Sequence, residues 1–436
     1  MTTLTMNAER HKSESGSIAT LGHRLLHWGP LAAMAIIKFV FFTCVYLTSW
    51  WWPPYDTVGG TINYVMYMVA VGLILYNFLC SVGAGAGFVP KGWRPKDPKA
   101  EELLQYCALC EGFKPPRAHH CRRCRRCVMK MDHHCPWINT CVGHRNHRNF
   151  IAFLLFCVTG SIHSIILLGC GLHKAYNVRW YEDMEAVYVH KLRSRGLVYP
   201  PPGYQPPPLV YVSFEVIIAV VLSIGLALGV IISLGSLLYF QLKIVIRNET
   251  GIEAWINQKA EMRLEEMSKS PKEWKYPYDL GWKENIRMVL AWWVPDGDGI
   301  EWPVREGCNQ YTLTVEQKVQ KDDKRLRRRP YVVTRTYYGG YFPWCGHGCC
   351  ACIRTPLNDE PRLRLQIGQM ILVTRWKRYW LYGELTPATL GKTSPFAVSS
   401  TTQSPYNGNP LDPPKGWFPR SCAVQCVRPQ PIKKIQ

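Results

Sequence analysis

Residues 107–141 read CALCEGFKPPRAHHCRRCRRCVMKMDHHCPWINTC, and this cysteine-rich segment decides how the chain is organised. It contains Cys-x2-Cys pairs and seven of the eighteen cysteines of the chain. Structural zinc is held by four Cys or His side chains in a tetrahedron, and such pairs often supply two of them. Two pairs, each followed by further cysteine and histidine residues, predict two zinc sites.

One cysteine of this segment is left over. Two sites need eight ligands, and six cysteines with two histidines supply them. We predict that the remaining cysteine is Cys135, because it follows Asp132 and His133 closely. A histidine can accept the thiol proton and stabilise the thiolate, and a carboxylate can orient the imidazole. The spacing alone also allows Cys135 to be a ligand of a purely structural zinc module.

Four long segments with almost no charged residues lie on either side of the cysteine-rich segment. Each has about 20 residues or more, the length that spans a bilayer core as a helix. They predict an all-α membrane domain of four transmembrane helices, because four such helices are hard to bury in a soluble protein. The predicted spans are residues 30–50, 61–82, 150–172 and 211–240.

Basic residues predict the orientation of these spans and the binding partners of the chain. The chain has a net charge of +21, with thirteen Lys and Arg in residues 83–149, none in 51–60 and five in 173–210. The positive-inside rule places 83–149 in the cytosol, which makes both termini cytosolic and the other two loops lumenal. The reducing cytosol favours metal binding over disulfides. The charge predicts contact with anionic lipid rather than with nucleic acid, because the segment is held at a membrane.

The last third of the chain has a different pattern. Short alternating runs at 331–337, 369–374 and 376–385 predict a small all-β barrel, with 386–415 as an inserted loop. Residues 252–267 have apolar positions at helical spacing and predict an amphipathic helix. The predicted order is a cytosolic segment (1–29), two spans (30–82), the cytosolic cysteine-rich zinc domain (83–149), two spans with lumenal loop 173–210 (150–240), a juxtamembrane segment (241–309), the barrel (310–428) and a tail (429–436).

The cysteine-rich segment resembles the signature of the DHHC palmitoyltransferases, which are integral-membrane protein S-acyltransferases. The resemblance is carried by Asp132-His133-His134-Cys135-Pro136-Trp137, followed by Cys141, Asn146 and Phe150, and by Arg117-Ala118-His119-His120-Cys121. It implies that Cys135 carries the acyl group, with His133 and Asp132 as its base pair. Palmitoyl-CoA would be the donor, and cytosolic cysteines of membrane-proximal proteins the acceptors. It implies two structural zinc ions, on Cys107, Cys110, His120 and Cys127 and on Cys121, Cys124, His134 and Cys141.

Other family motifs are altered in this chain. Thr250-Gly251-Ile252-Glu253 stands in place of Thr-Thr-x-Glu, so a bracing role at the active site rests on Thr250 and Glu253. The Asp-Pro-Gly motif after the second span is replaced by residues 85–90, Gly-Ala-Gly-Phe-Val-Pro. Asn285, within 278–285, is similar to the anchoring asparagine that follows the last span of the family.

The predicted barrel resembles an SH3 domain through residues 376–385 and 416–422, which read WKRYWLYGEL and GWFPRSC. SH3 domains bind proline-rich ligands in an aromatic groove. The same residues are also compatible with a barrel whose groove no longer binds a ligand. The DHHC family contains a member resident in the endoplasmic reticulum with such a barrel, and this chain resembles it.

Two features near the C-terminus predict location and modification. Lys433 and Lys434, third and fourth from the end, resemble the dilysine retrieval signal of endoplasmic reticulum membrane proteins. A second cysteine cluster lies beside aromatic residues, and we favour regulatory S-acylation for it; zinc binding or simple free thiols are the alternatives. Its cysteines are Cys345, Cys349, Cys350 and Cys352.

Overall fold

The computed structural model describes residues 21–196, 209–290, 297–340, 347–358, 360–386 and 413–426. The chain divides into two compact units. The first comprises residues 1–95 with 114–312, and the second comprises residues 96–113 with 313–436. Neither unit is continuous in sequence, because residues 96–113 belong with the C-terminal part.

Four helices of the first unit are long and apolar enough to cross a membrane. In chain order the helices are α1 (Trp28–Trp51), α2 (Val58–Gly83), α3 (His147–Tyr176), the shorter α4 (Val178–Ser194) and α5 (Phe214–Ile246). The four apolar ones, α1, α2, α3 and α5, have 24 to 33 residues. At 1.5 Å per residue the shortest is about 36 Å long, more than the roughly 30 Å of a bilayer core. The prediction of four apolar helices long enough to cross a membrane is confirmed.

The predicted lumenal loop 173–210 is partly helical. Helix α3 continues to Tyr176, and α4 begins two residues later. None of the α4 residues is buried, and Lys191 and Arg193 lie in its last turn, where positive charge interacts favourably with the helix dipole. The proline-rich stretch at 199–208 lies outside the described residues.

Three short hairpins occupy the segment between α2 and α3. Each strand has three residues, and the pairs are β1 (Gln105–Cys107) with β2 (Gly112–Lys114), β3 (His119–Cys121) with β4 (Arg126–Val128), and β5 (His133–Cys135) with β6 (Thr140–Val142). Isolated two-stranded sheets of this length are at best marginally stable in water. Their persistence therefore requires further cross-links, which the cysteine and histidine residues on them are placed to supply.

The chain turns sharply after α5 and returns toward the cysteine-rich segment. Asn248 has a left-handed backbone (φ 50°), and α6 (Gly251–Glu266) begins directly afterwards. A helix is present where residues 252–267 predict one, but its apolar side chains do not form one buried face, since Trp255 is exposed whereas Glu253 and Asn257 are buried. Its start is fixed by a capping box, in which Thr250 and Glu253 each bind the other's backbone N–H. Helix α7 (Trp282–Leu290) follows, and Asn285 donates to the carbonyl of Ile246 at 2.8 Å.

The second unit contains a five-stranded antiparallel sheet. Its elements are α8 (Thr312–Leu326), β7 (Arg329–Val333), the short α9 (Cys349–Ile353), β8 (Met370–Trp376), β9 (Trp380–Leu385), β10 (Lys415–Pro419) and β11 (Ala423–Gln425). The strand order is β10-β9-β8-β7-β11. Within the described residues β10 and β11 are the two edges, so the sheet is established and a closed barrel remains a prediction.

The start of this unit differs from the all-β segment predicted from residue 310. Residues 312–326 form α8, in which Leu313 and Glu316 are buried on one side. Eight of the other thirteen positions are glutamine, lysine, aspartate or arginine, whose polar side chains a surface helix exposes to water. The core of the sheet contains Trp380, Phe418, Ile371 and Val373, all essentially inaccessible to solvent.

Candidate active site

Two groups of four side chains are arranged to hold metal ions. Each group has three cysteines and one histidine, and within each group the ligand atoms all lie within 4.8 Å of one another. The groups are Cys107, Cys110, His120 and Cys127, and Cys121, Cys124, His134 and Cys141. These are the two sets of four that the family resemblance implies.

Strand pairing explains why the donors converge. His120 pairs directly with Cys127 across β3 and β4, and His134 pairs with Cys141 across β5 and β6. In the second group the Sγ atoms of Cys124 and Cys141 lie 3.6 Å apart. Zn–S bonds of about 2.3 Å in a tetrahedron give S–S separations of roughly 3.8 Å, so the donor set fits zinc.

Cys135 belongs to neither group. It follows His134 on β5, and because side chains alternate along a strand, it shares a side with His133 and not with His134. Its side chain is buried in an apolar cluster with Phe78 of α2 and Phe150 of α3. The thiol therefore lies where the cysteine-rich segment meets the apolar helices.

Asp132 and His133 form a closely bonded pair beside this thiol. Nδ1 of His133 and Oδ2 of Asp132 are 2.6 Å apart, and the aspartate side chain is almost fully buried. Because Nδ1 is engaged by the carboxylate, Nε2 is the ring nitrogen available to Cys135. Burial would lower the pKa of His133, but its hydrogen bonds with Asp132 and Cys135 raise it to about 9.

The carboxylate of Asp132 is held in its charged form. Burial alone would raise the pKa of Asp132, but the hydrogen bond from His133, the neighbouring histidine rings and the backbone N–H of Gly251 hold it well below its usual range. Proton transfer from Cys135 to His133 would therefore give an imidazolium next to a carboxylate. This is the arrangement that stabilises a thiolate nucleophile.

A buried ion pair connects the cysteine-rich segment to helix α6. Nε and one terminal nitrogen of Arg117 bind the two oxygens of Glu253 at 2.7 and 2.8 Å, and both side chains are inaccessible to solvent. The arginine also lies over the ring of Trp302, 4.7 Å from its centroid. Glu253 is the capping-box residue of α6, so the pair links the segment before β3 to the start of this helix.

Comparison with known proteins agrees with this geometry. The family model described as DHHC palmitoyltransferase matches residues 100–258. Palmitoyltransferase ZDHHC6 of Mus musculus is 40% identical over 408 residues, which cover 92% of this chain and 92% of the mouse protein. The Danio rerio protein of the same name is 39% identical over 406 residues, 93% of this chain and 92% of its own. The chain belongs to the DHHC palmitoyltransferase family.

A plant relative extends the family match. Probable protein S-acyltransferase 16 of Arabidopsis thaliana is 31% identical over 268 residues, 59% of this chain and 82% of the plant protein. The expectation of a protein S-acyltransferase is confirmed by this family membership. The region matched by the DHHC model contains both metal-binding groups and the Asp132–His133–Cys135 arrangement.

Three contacts of the DHHC motif were not foreseen from the sequence. The amide of Gln241 donates to Oδ2 of Asp132, the backbone N–H of Gly251 donates to Oδ1, and His147 contacts the other end of the Gln241 amide. In the sequence, Gln241 is a glutamine directly after the predicted fourth span, and His147 is a histidine just before the third. Neither position indicates which residue the side chain contacts.

Asn285, by contrast, lies where the family resemblance implies an anchoring residue, and Asn146, which is part of the DHHC signature, also connects two elements. The amide of Asn146 donates to the carbonyls of Ser81 and Cys141, both at 3.0 Å, and so links the end of α2 to β6. Asn285 connects the start of α7 to the end of α5. Both asparagines are fully buried.

The predicted C-terminal features are only partly described. Cys349 and Cys350 are exposed on α9, whereas Cys352 on the same helix is buried. Cys345 and the two lysines of the tail, Lys433 and Lys434, lie outside the described residues.

Proposed function

We propose that this protein transfers a long-chain fatty acyl group, such as palmitoyl, from acyl-CoA to cysteines of other proteins through a thioester on Cys135. One observation carries the proposal. A single cysteine of the DHHC segment lies outside both metal-binding groups, is buried against the apolar helices and adjoins a bonded Asp132–His133 pair.

In the first half-reaction, His133 accepts the proton of the Cys135 thiol. The thiolate attacks the thioester carbonyl of the acyl-CoA, a new carbon–sulfur bond forms to Cys135, and the bond to the CoA sulfur breaks. CoA leaves as a thiolate and takes up a proton, for which imidazolium His133 is the adjacent donor. Asp132 retains its charge throughout and stabilises the imidazolium.

In the second half-reaction, the thiol of a substrate cysteine takes the place of CoA. Deprotonated with the help of His133, it attacks the Cys135 thioester, and the Cys135 thiolate is released and reprotonated. The acyl chain can remain among the apolar helices while this occurs, since Cys135 packs against α2 and α3. Burial contributes about 0.8 kcal/mol per CH₂, which favours long chains.

The two metal-binding groups fit structural zinc. Four protein ligands complete a tetrahedron and leave no position for water or substrate. Cys107, Cys110, His120 and Cys127 would hold one ion, and Cys121, Cys124, His134 and Cys141 the other. Zinc would cross-link the short hairpins and so hold the catalytic strand β5 in place.

The test is incubation of the purified full-length chain with labelled palmitoyl-CoA. We expect a hydroxylamine-sensitive label on the wild type and none on Cys135→Ser, with two zinc ions per chain in both. Cys170→Ser is the matched control, because Cys170 is exposed on α3 and belongs to neither metal group. Equal labelling of wild type and Cys135→Ser would overturn the proposed acyl carrier.

The membrane is proposed to be that of the endoplasmic reticulum, with both termini in the cytosol. The support is the distribution of basic residues around the four apolar helices and the dilysine sequence of Lys433 and Lys434. In this orientation Cys135 faces the cytosol at the bilayer surface, and suitable substrates are proteins with cytosolic cysteines near the membrane.

The sheet of the second unit is proposed to belong to an SH3-like barrel with a proline-rich ligand. The support is its five antiparallel strands and the one turn of 3-10 helix, Arg420–Cys422, between β10 and β11.

Regulatory S-acylation is proposed for the C-terminal cysteine cluster, with Cys349 and Cys350 the accessible members. Acyl-exchange labelling of Cys349→Ser with Cys350→Ser tests this proposal, which predicts reduced acylation outside Cys135.

A further inference from the structure

We propose that Gln241 is a positioning residue for acyl transfer, that it fixes the orientation of Asp132, and that His147 acts through Gln241. The proposal rests on the proposed function, in which His133 and Asp132 assist Cys135. It concerns two polar residues at the ends of apolar helices, since Gln241 lies near the end of α5 and His147 is the first residue of α3.

The three side chains form a continuous hydrogen-bonded row. Nε2 of Gln241 donates to Oδ2 of Asp132 at 2.9 Å, and Oδ2 is the same oxygen that Nδ1 of His133 approaches to 2.6 Å. Oε1 of Gln241 lies 2.7 Å from Nε2 of His147. The amide nitrogen of Gln241 thus has a charged partner, Asp132, and its amide oxygen has a polar partner, His147, each at a short hydrogen-bond distance.

Chemistry determines the direction of each bond. An ionised carboxylate only accepts hydrogen bonds, so the NH₂ of Gln241 must face Asp132 and the carbonyl must face His147. His147 must then carry its proton on Nε2. Its Nδ1 is buried and has no hydrogen-bond partner within the described part of the chain, which agrees with an imidazole used as a donor at one nitrogen.

Because the hydrogen-bonded row is buried, it can restrict the orientation of the Asp132 carboxylate. Gln241 and His147 are each 3% exposed, and a buried amide that loses a partner has no water to replace it. The bond to Oδ2 limits rotation of the Asp132 carboxylate, while the Gly251 N–H holds Oδ1. Removal of Gln241 would leave one oxygen to be held by His133 alone, and the imidazole would lose its fixed orientation toward Cys135.

The test measures single-turnover acylation of Cys135 by labelled palmitoyl-CoA in the full-length chain. Gln241→Met keeps the volume of the side chain and removes both hydrogen bonds. We expect the maximal rate to fall roughly 10- to 100-fold, the range for a hydrogen bond to a charged group. The half-saturating palmitoyl-CoA concentration should stay within about twofold and the zinc content at two per chain, since Gln241 is not placed to bind either. Ser223→Ala is the control, a buried polar residue of the same helix remote in sequence from the row.

A rescue and a coupling measurement separate positioning from a general effect on folding. A neutral histidine in Gln241→His supplies one donor and one acceptor, as many as the row uses, so we expect it to recover a substantial part of the lost rate. His147→Leu should slow the reaction by itself. Its addition to Gln241→Met should cause little further loss, because His147 acts only through the glutamine.

Each outcome decides between the proposals. A wild-type maximal rate in Gln241→Met, with labelling still dependent on Cys135, overturns the positioning role and leaves the proposed function standing. Loss of zinc or a large change in palmitoyl-CoA dependence with an unchanged maximal rate assigns Gln241 a structural role and also overturns it. If Gln241→Met does not fold, Gln241→Asn decides, because the shorter amide keeps the polarity of the site but cannot reach both Asp132 and His147; a wild-type rate in that variant contradicts the proposal. Labelling that persists in Cys135→Ser contradicts the proposed function itself.

Discussion

The backbone N–H of Gly251 donates a hydrogen bond to Oδ1 of Asp132, 119 residues earlier in the chain. In the Thr-Thr-x-Glu pattern that residues 250–253 resemble, the second threonine corresponds to this glycine, which has no side chain. The first turn of a helix leaves N–H groups without internal partners and carries a partial positive charge, so a carboxylate is a suitable acceptor. In this chain a backbone donor at the start of α6 binds the carboxylate of Asp132 directly.

Gly251→Pro removes that donor at a backbone position that suits proline, which is favoured at the first position of a helix. Its ring Cδ takes the place of the amide hydrogen, so the Asp132 carboxylate must also move away. The preceding residue, Thr250, has the extended conformation that proline requires of its neighbour. We expect folding and zinc content to be retained and Cys135 acylation to slow roughly tenfold or more. Gly251→Ala keeps the N–H and serves as control, although its Cβ would lie 3.3 Å from Oδ1 of Asp132. Equal rates for the two variants would show that the bond is dispensable.

Glu253→Gln keeps the shape of the capping residue and removes its charge. Arg117 would then be a buried cation without its counterion, at a cost of about 3–5 kcal/mol. We expect a lower apparent melting temperature in detergent. Glu284→Gln is the matched control, because Glu284 forms an exposed pair with Arg287 and its loss should not change the melting temperature. Similar behaviour of both variants would contradict a supporting role for the buried pair.

Neighbouring histidines should have separable roles. His133→Ala should retain two zinc ions per chain and lose acylation of Cys135, because His133 lies outside both metal-binding groups. His134→Ala should lose metal and stability, since binding of structural zinc contributes folding free energy. Metal analysis of the purified variants checks both. Retention of two zinc ions by His134→Ala, with loss of one from His133→Ala, would reverse the assignment.

Acid should destabilise the first unit through His144. Burial lowers the pKa of His144 from 6.5 to about 4, and the cations Lys130 and Arg117 act in the same direction. The folded state then binds fewer protons than the unfolded state, so this contribution is full above pH 6.5 and is lost as the pH falls toward 4. At pH 5 the loss is roughly 2 kcal/mol.

His144→Phe isolates this effect. A phenyl ring retains the edge-on contact with Trp302, whose centroid is 5.2 Å away, but cannot take up a proton. The difference in apparent melting temperature between pH 7 and pH 5 should therefore be smaller in His144→Phe than in wild type. Comparison of the two proteins removes the part of the pH dependence that comes from zinc loss. An identical difference would exclude His144 as its source.

The tail predicts where the protein resides. If Lys433 and Lys434 form a dilysine signal, Lys433→Ser with Lys434→Ser should release the protein toward the Golgi and plasma membrane with acyl transfer unchanged. Imaging of the tagged protein in cells measures this. An altered protein that stays wholly in the endoplasmic reticulum would show that the tail is redundant. Protection of the tail from protease in sealed microsomes would contradict the proposed orientation of all four spans.

Local patterns explain what could be predicted from the sequence. The four apolar helices are evident because length and hydrophobicity are properties of continuous segments. The number of metal-binding groups can be predicted because all their ligands lie close together in sequence, within residues 107–141. The assignment of individual ligands, such as His134 rather than His133, came from the family resemblance, and the pairing of His134 with Cys141 across β5 and β6 accounts for it.

The surroundings of Asp132 depend on tertiary structure. Gln241 reaches its carboxylate across 109 residues, Glu253 reaches Arg117 across 136, and the sequence has no spacing rule for such contacts. They arise because the packing of α3 against α5 brings the helix ends together and the turn at Asn248 returns α6 to the cysteine-rich segment. A polar residue at the end of an apolar helix indicates a buried partner; only the packing of the helices determines that this partner is Asp132.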